Sequence, residues 1–142
     1  MKQRRTKRWL IPVLLVLPVF LTACGGDSAS DVTEPAVLEQ VAGTDLYRIT
    51  LTPETAKRLD IQTVAVEEGD AGTVVPYSAV FYSPNGQTWA YVNPESLTFV
   101  RRAIVVDHID GDRAVLSAGP SMGTKVATVG VPELHGIESG TG

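Results

Sequence analysis

The sequence predicts a mainly β fold: a small antiparallel β-barrel or roll with one or two short helices. Short segments rich in β-branched and aromatic residues recur along the 142-residue chain, and several alternate as half-buried strands do. Turn sequences such as Asn85-Gly86 and Asp110-Gly111 separate these segments at intervals of about ten residues, a spacing typical of all-β domains. Helices are expected only over 53–59 and 131–136. Together these observations favour one small domain built mainly of strands.

The first strand and the first helix are predicted from one continuous stretch. Residues 45–51 alternate as a strand does, and Thr52-Pro53-Glu54 then provides a cap residue, a proline at the first helical position and an early acid. We expect a helix from Pro53 to about Leu59, with Ala56 and Leu59 facing inward.

The middle of the domain is predicted to be two strands joined by a polar loop. Residues 61–66 alternate again, 67–72 read as a loop, and 73–82 read as one long strand. Pro76 has no backbone N–H, so we expect it at a sheet edge or a bulge.

Asn85-Gly86 is the strongest short-range hairpin signal in the chain. A two-residue turn at this point predicts that Tyr82 lies opposite Trp89 and Val80 opposite Tyr91. Such aromatic cross-strand pairs would stabilise the sheet.

The remaining elements follow at short intervals. Asp110-Gly111 is expected to be a tight turn that places His108 opposite Arg113, and the last residues are expected to fray. The predicted bounds are strand 97–109, strand 112–117, turn 119–123, strand 125–129, one helical turn over 131–136 and a frayed tail over 137–142.

The amino-terminal segment is predicted to be a secretory signal peptide, residues 1–23. Five Lys and Arg precede an apolar run from Trp9 to Ala23, which is shorter than the roughly 20 residues of a membrane span and is interrupted by Pro12 and Pro18. Because the leader has five basic residues and no acid, its removal changes the formal net charge from −4 to −9.

Cys24 is predicted to carry a lipid anchor. The sequence Leu21-Thr22-Ala23-Cys24-Gly25 resembles the bacterial lipobox, in which a diacylglyceryl group is added to the cysteine, and this cysteine is the only one in the chain. The lipid and its two chains would be enough for stable membrane attachment. The alternative is an ordinary secretory signal with an unrelated cysteine nearby.

The domain organisation follows from these assignments. The segment 24–44 is polar and acidic and is predicted to be a flexible tether. Residues 45–136 form the predicted β-domain.

Residues 107–112 are the strongest candidate for a metal site in the sequence, since they contain three aspartates, a histidine and a glycine. Their spacing does not match a calcium loop, and two histidines on separate segments make a poor zinc site. No serine has a nucleophile-elbow context, and the adjacent basic pair Arg101-Arg102 lies in an otherwise acidic body. We therefore expect no enzyme activity, no metal, no cofactor and no nucleic acid.

Six short motifs follow one another within residues 74–136: Val75-Pro76-Tyr-Ser-Ala79-Val80, Gln87-Thr88-Trp89-Ala-Tyr91-Val92, Phe99-Val-Arg101-Arg102-Ala-Ile-Val-Val106, Gly111-Asp-Arg-Ala-Val115, Gly119-Pro-Ser-Met-Gly123-Thr-Lys-Val126 and Gly130-Val-Pro-Glu133-Leu134. In their order and spacing they resemble the carboxyl-terminal part of HlyD-type periplasmic adaptors, the membrane fusion proteins that serve RND efflux pumps. In that family this region is a membrane-proximal β-domain, often described as a permuted SH3-like barrel. The resemblance implies a docking surface on this domain. The residues expected to frame or form that surface are Val75, Pro76, Tyr82, Asn85, Gly86, Trp89, Tyr91, Arg101, Gly111 and Gly123.

Residues 51–63 resemble the amino-terminal edge of the same family, with only residues 67–72 between the two parts. Full adaptors have a lipoyl-like domain, a helical hairpin and a further β-barrel there. The resemblance thus implies a truncated, lipid-anchored adaptor that docks on a transporter or another envelope protein. Two alternatives stay open: a surface lipoprotein that binds a small molecule or metal at the barrel mouth near 107–112, and a remnant without activity of its own.

Overall fold

A central antiparallel hairpin organises the structure, a computed structural model that describes residues 34–140. Its strands are β7 (Thr88–Glu95) and β8 (Thr98–Asp110), with Tyr91 opposite Arg101 and Val92 opposite Val100. Because neighbouring residues of a strand point to opposite faces, the hairpin offers two separate apolar surfaces. Both surfaces are covered in the fold.

The other elements of the described part come before and after this hairpin. In chain order they are β1 (Ala36–Gln40), β2 (Tyr47–Leu51), α1 (Pro53–Arg58), β3 (Gln62–Ala65), β4 (Glu67–Gly69), β5 (Gly72–Pro76), a 3-10 turn (Tyr77–Ala79), β6 (Phe81–Tyr82), then β9 (Arg113–Ala118), β10 (Lys125–Val129) and α2 (Val131–Ser139). The two α-helices of the described part, of six and nine residues, are too short to span a bilayer.

The strands form a curled, fully antiparallel half-barrel with two helices, which confirms the predicted fold class. Its main path runs β3-β10-β7-β8-β9-β5-β4, with β2 added to β8, β1 to β2 and β6 to β7. The chain therefore crosses from one side of the central hairpin to the other several times.

The segments on either side of residues 67–72 pair with each other in this sheet. β2 pairs with β8, where Ile49 lies opposite Phe99, and β3 pairs with β10, where Ala65 lies opposite Lys125. Val66, at the end of the first segment, accepts a backbone hydrogen bond from Gly123 at 2.9 Å. The amino-terminal and carboxyl-terminal parts thus form one sheet.

Two apolar cores lie on opposite faces of the central hairpin. One core contains the even-numbered hairpin residues Ala90, Val92 and Ile104 with side chains of β5, β9 and β10. The other contains the odd-numbered Tyr91 and Phe99 with side chains of β2 and of both helices. The two-residue period of the strands thus assigns each side chain to its core.

The first helix forms as predicted, because Thr52 caps it and Pro53 occupies its first turn. The Thr52 hydroxyl accepts a hydrogen bond from the backbone N–H of Thr55 at 3.1 Å. The buried helix residue is Thr55, however, whereas Ala56 and Leu59 are only half-buried. Of the predicted inward pair, Ala56 packs against the second core and Leu59 does not. Thr55 is the most buried residue of the helix, because the cap hydrogen bonds satisfy its hydroxyl.

Two ends of the domain are more ordered than the sequence predicts. Within the predicted tether, residues 36–40 form β1, because β2 has a free edge that accepts a further strand. At the other end, α2 continues to Ser139 and is not a single turn followed by a frayed tail, because Leu134, Ile137 and Glu138 pack against the sheet. The predicted signal peptide, Cys24 and the first part of the tether lie outside the described residues.

The predicted loop 67–72 and long strand 73–82 were wrong in detail. Residues 67–76 form a tight hairpin, β4 with β5, in which Glu67 lies opposite Val74. Pro76 ends β5 and caps a 3-10 turn, because a residue without N–H cannot extend the ladder. The chain then resumes as the short β6.

The β6–β7 connection is longer than predicted, so its register shifts by one residue. Phe81, and not Tyr82, lies opposite Trp89, and Tyr82 lies opposite Thr88. The predicted Val80–Tyr91 pair does not form either, since Val80 precedes β6. The cause is a five-residue loop, 83–87, closed by a hydrogen bond from the Ser83 N–H to the Gln87 carbonyl at 2.9 Å.

The β8–β9 turn is also displaced by one residue. Asp110 lies opposite Arg113, so Gly111-Asp112 forms the turn, with Gly111 at a φ of 61°. His108 consequently lies opposite Val115, which makes the predicted His108–Arg113 pair wrong. Arg113 instead forms an ion pair with Glu67 at 2.7 Å.

We predict that Gly72→Ala destabilises the protein far more than Gly43→Ala. Both glycines have positive φ, which costs an L-residue about 1–2 kcal/mol. Only at Gly72 would the new Cβ overlap the backbone oxygen of Leu116, and overpacking adds about 1–3 kcal/mol. Urea unfolding followed by circular dichroism should show losses of about 3 and about 1 kcal/mol; equal losses would contradict the close packing of β5 on β9.

Candidate functional site

The structure brings three of the ten predicted docking residues together. Trp89 and Tyr91 on β7 and Arg101 on β8 share the hairpin face that α2 covers. The guanidinium carbon of Arg101 lies 4.6 Å from the centroid of the Trp89 ring, a cation–π geometry. These residues form the core of what we call the α2 cluster, which also contains Phe81, His135 and Glu138.

The other seven predicted residues are spread over the fold. Val75 is buried in the first core and Pro76 ends β5, so both have structural positions. Gly111 and Gly123 lie in turns with positive φ. Tyr82, Asn85 and Gly86 lie on or next to the loop at the tip of the β6–β7 hairpin.

Asn85 organises the tip of that hairpin. Its amide oxygen accepts hydrogen bonds from the Ser83 hydroxyl at 2.6 Å and from the Gln87 N–H at 3.2 Å. The Ser83 hydroxyl in turn accepts a hydrogen bond from the Trp89 indole N–H at 3.2 Å. The tip is therefore linked to the α2 cluster through Ser83 and Trp89.

The centre of the α2 cluster is the carboxylate of Glu138. The Tyr91 hydroxyl donates a hydrogen bond to its Oε2 at 2.6 Å, and Nε of Arg101 lies 3.3 Å from the same oxygen. The Glu138 side chain is only 4% exposed and that of Arg101 17% exposed. Because a buried carboxylate requires compensation, this pair of contacts fixes where α2 lies on the sheet.

His135 adds a second contact between α2 and the sheet. It precedes Glu138 by three residues, so the two side chains lie on one face of the helix. Its Nδ1 lies 3.5 Å from the Tyr91 hydroxyl, and its ring lies 4.3 Å from that of Phe81, centroid to centroid. Phe81, Tyr91 and α2 are thus packed as one unit.

Burial raises the pKa of the Tyr91 phenol far above its ordinary value, and the hydrogen bond to Glu138 and the charge of that carboxylate raise it further. The positive charge of Arg101 acts in the opposite direction. Tyr91 is therefore a neutral hydrogen-bond donor at physiological pH. The residue stabilises the carboxylate and does not act as a base.

Two buried polar atoms of the α2 cluster have no hydrogen-bond partner within the described residues. The Arg101–Glu138 contact is an ion pair without hydrogen-bond geometry, since Nε of Arg101 and Oε1 of Glu138 have no hydrogen-bond partner within residues 34–140. Desolvation of such a pair offsets much of its Coulombic attraction. The Arg101–Glu138 ion pair therefore determines where α2 lies on the sheet more than it adds to the free energy of unfolding.

Glu138 was missed because residues 137–142 were predicted to fray. The signal that could have found it is the spacing of Val131, Leu134 and Ile137, which continues a helical apolar stripe beyond residue 136. Gly140, which ends the helix at a φ of 70°, is a typical stop signal.

Residues 107–112 have the structure of a strand end and a turn. Nδ1 of His108 lies 2.8 Å from the Asp107 carboxylate, and both side chains are more than half exposed. Within residues 34–140 no group of three or more His, Cys, Asp or Glu side chains is arranged to hold a metal ion.

Comparison of the chain with protein-family models, with curated proteins and with solved structures finds no match. The contacts within the α2 cluster give it a structural role, because they hold a helix across one face of the central hairpin.

We predict that Tyr91→Phe lowers the free energy of unfolding by about 2 kcal/mol at pH 7, because the charged Glu138 carboxylate loses the hydrogen bond that the Tyr91 hydroxyl donates to it. The pKa of Tyr91 is raised on folding, so its contribution is fully present below the unfolded pKa of about 10 and is lost as the pH rises above it.

Wild-type stability should therefore fall more steeply than that of Tyr91→Phe as the pH rises above about 10, and the difference between the two curves should shrink. Urea unfolding at each pH measures this. Tyr47→Phe, which removes a phenol of β2 that lies outside the α2 cluster, is the control and should keep the wild-type slope. Parallel curves for the wild type and Tyr91→Phe would contradict the assigned role of the Tyr91–Glu138 hydrogen bond.

Proposed function

We propose that this protein is a lipid-anchored, non-catalytic envelope protein that resembles a truncated efflux-pump periplasmic adaptor and docks on a transporter or another envelope protein. The observation that carries the proposal is the pairing of the two segments on either side of residues 67–72. In a full adaptor these segments are separated by inserted domains. Here β2 pairs with β8 and β3 with β10 in a single sheet.

The link between the two segments supports the same proposal. Residues 67–72 belong to the tight β4–β5 hairpin, whose turn is only Asp70-Ala71. Directly before it, the N–H and carbonyl of Val66 bond to the 123–124 backbone at 2.8 and 2.9 Å. The domain closes without an insertion at this point, as expected of a docking unit that has lost the bridging parts.

The net charge of the domain argues against electrostatic attachment to a membrane. Residues 34–140 carry seven Lys and Arg against fourteen Asp and Glu, a net formal charge of −7. An acidic domain is not attracted to an anionic lipid surface. The proposal therefore assigns membrane attachment to a lipid on Cys24.

A binding role fits the polar groups better than a catalytic one. The most buried carboxylate of the described residues, Glu138, is held by Tyr91 and Arg101 beneath α2. Tyr91 and Arg101 hold α2 against the sheet through this carboxylate and do not surround an open cleft. The proposed activity is therefore recognition by the outer surface of the sheet.

Cys24→Ser is expected to abolish incorporation of labelled palmitate and removal of the leader, because in a lipobox the lipid is added to the cysteine before cleavage. The variant should therefore migrate as the longer, unlabelled precursor on a gel. Ser30→Ala is the control and should be labelled and cleaved as the wild type is. A Cys24→Ser variant that still incorporates the label, or is still cleaved at the same position, would contradict the anchor.

The docking role is tested in cells that produce the wild-type protein. Cross-linking should recover a transporter subunit or another envelope protein, and deletion of the gene should change export of at least one substrate. Unchanged export, together with no envelope protein cross-linked, would overturn the docking role while leaving the lipid anchor intact.

A further inference from the structure

The outer edge of β1 has no strand partner within residues 34–140. β1 pairs with β2 alone, through five consecutive residue pairs from Ala36–Leu51 to Gln40–Tyr47, and this ladder contains no bulge. Four of the five residues of β1 are exposed to solvent. The strand therefore offers a regular free edge at one side of the described sheet.

The even-numbered residues of β1 direct their backbone groups to this free edge. At the two ends of the strand, the Pro35 carbonyl accepts a hydrogen bond from the Thr52 N–H at 3.2 Å, and the Val41 N–H donates to the Leu46 carbonyl at 2.9 Å. The odd-numbered residues thus bond to β2. Because successive residues of an antiparallel strand direct these groups to opposite edges, the N–H and carbonyl of Leu38 and of its even-numbered neighbours point outward.

The usual devices that protect a sheet edge do not block this one. Proline can protect an edge because it lacks an N–H, but Pro35 occupies an odd position, so its nitrogen faces β2. Glu39 is the one charged residue of β1, and Arg48 lies opposite it on β2. The free edge therefore remains able to accept a further strand.

This edge is complementary to itself in one antiparallel register. With Leu38 on a two-fold axis, Leu38 lies opposite Leu38 of a second copy, Val37 opposite Glu39, and Ala36 opposite Gln40. The outward backbone groups then meet, and each of the three pairs of even-numbered residues exchanges two hydrogen bonds. A register centred on Glu39 would place two carboxylates directly opposite each other, which is destabilising.

The side chains at the edge match the same partner. Leu38 is 41% exposed and lines a groove of about 650 Å³ between β1, α1 and α2, together with the apolar Leu59, Pro132 and Ile137. In the register centred on Leu38, the same leucine of the second copy lies beside it on the same face of the sheet. Two exposed leucines are thereby buried against each other.

We propose that β1 pairs with β1 of a second copy of this chain, antiparallel and about a two-fold axis at Leu38, so that the two sheets continue into one. Such a contact is isologous, because both copies use the same surface. The edge is short, so the dimer is expected to be weak and concentration-dependent. It depends neither on the docking role nor on the lipid anchor proposed above.

The net charge of −7 on residues 34–140 of each copy opposes this dimer only at long range. Physiological salt screens such repulsion beyond about 8 Å, so the charges at the contact decide. Each Glu39 has Arg48 of its own chain on one side and the uncharged Val37 of the second copy on the other. The contact therefore brings no like charges directly opposite each other.

The first test is sedimentation equilibrium of the full chain in detergent, with substitutions at position 37. Val37→Lys places a lysine opposite Glu39 twice in each dimer and should lower the dissociation constant about fivefold, whereas Val37→Glu should raise it by a similar factor. Val64→Lys is the control, because Val64 is 40% exposed on β3 and its replacement changes the net charge equally.

Val64→Lys should therefore leave the dissociation constant close to that of the wild type. A wild-type chain that is monomeric at every concentration would overturn the proposal. A dimer that responds equally to Val37→Lys and Val64→Lys would overturn it too, because the contact would then lie elsewhere.

The second test is disulfide cross-linking in a full chain that carries Cys24→Ser. Leu38→Cys should give a covalent dimer on mild oxidation, because residues opposite each other in a ladder are within reach of a disulfide. Gln40→Cys is the matched control: it is exposed on the same face of β1, but the two copies of residue 40 are about 13 Å apart along the ladder. Equal cross-linking of both variants, or of neither, would overturn the proposed register.

Discussion

The fold depends on one constraint: the β7–β8 hairpin is apolar on both faces. Tyr91 and Phe99 lie on one face and Ala90 and Val92 on the other. Exposure of either face to water would therefore lose the free energy that comes from burying one apolar core. The curled β5–β9 part of the sheet covers the even-numbered residues, while β2 and the two helices cover the odd-numbered ones. Of the described elements, β2, β5, β9, β10 and both helices each supply side chains to at least one of these two cores.

This constraint explains why segments from both ends of residues 34–140 return to the centre. β2 and β3 precede the β4–β5 hairpin, yet they complete the sheet next to β8 and β10. The helix α2 then covers the face that β2 leaves open, and the Glu138 carboxylate sets its position through Tyr91 and Arg101. Packing supplies the stability of this arrangement, and the polar cluster supplies its specificity.

The sequence predicts which segments are strands better than how they pair. Lys125–Val129 matches its predicted bounds because alternation and flanking turns define it locally. The hairpin at Asn85 was shifted by one residue because side-chain hydrogen bonds of Ser83 and Asn85 extend the loop, which the dipeptide signal does not report. Glu138 could not be assigned to a site, since its partners Tyr91 and Arg101 are brought to it by long-range packing alone.

The pairing of β3 with β10 is tested most directly by an engineered disulfide between the two strands. Ala65 and Lys125 lie opposite each other, and such pairs are at a separation that a disulfide can span. In a full chain that carries Cys24→Ser, Ala65→Cys with Lys125→Cys should oxidise completely in the native state. Val64→Cys with Lys125→Cys should not, because a shift of one residue places the side chains on opposite faces. Equal oxidation of both pairs, or of neither, would contradict the pairing of the two segments around residues 67–72.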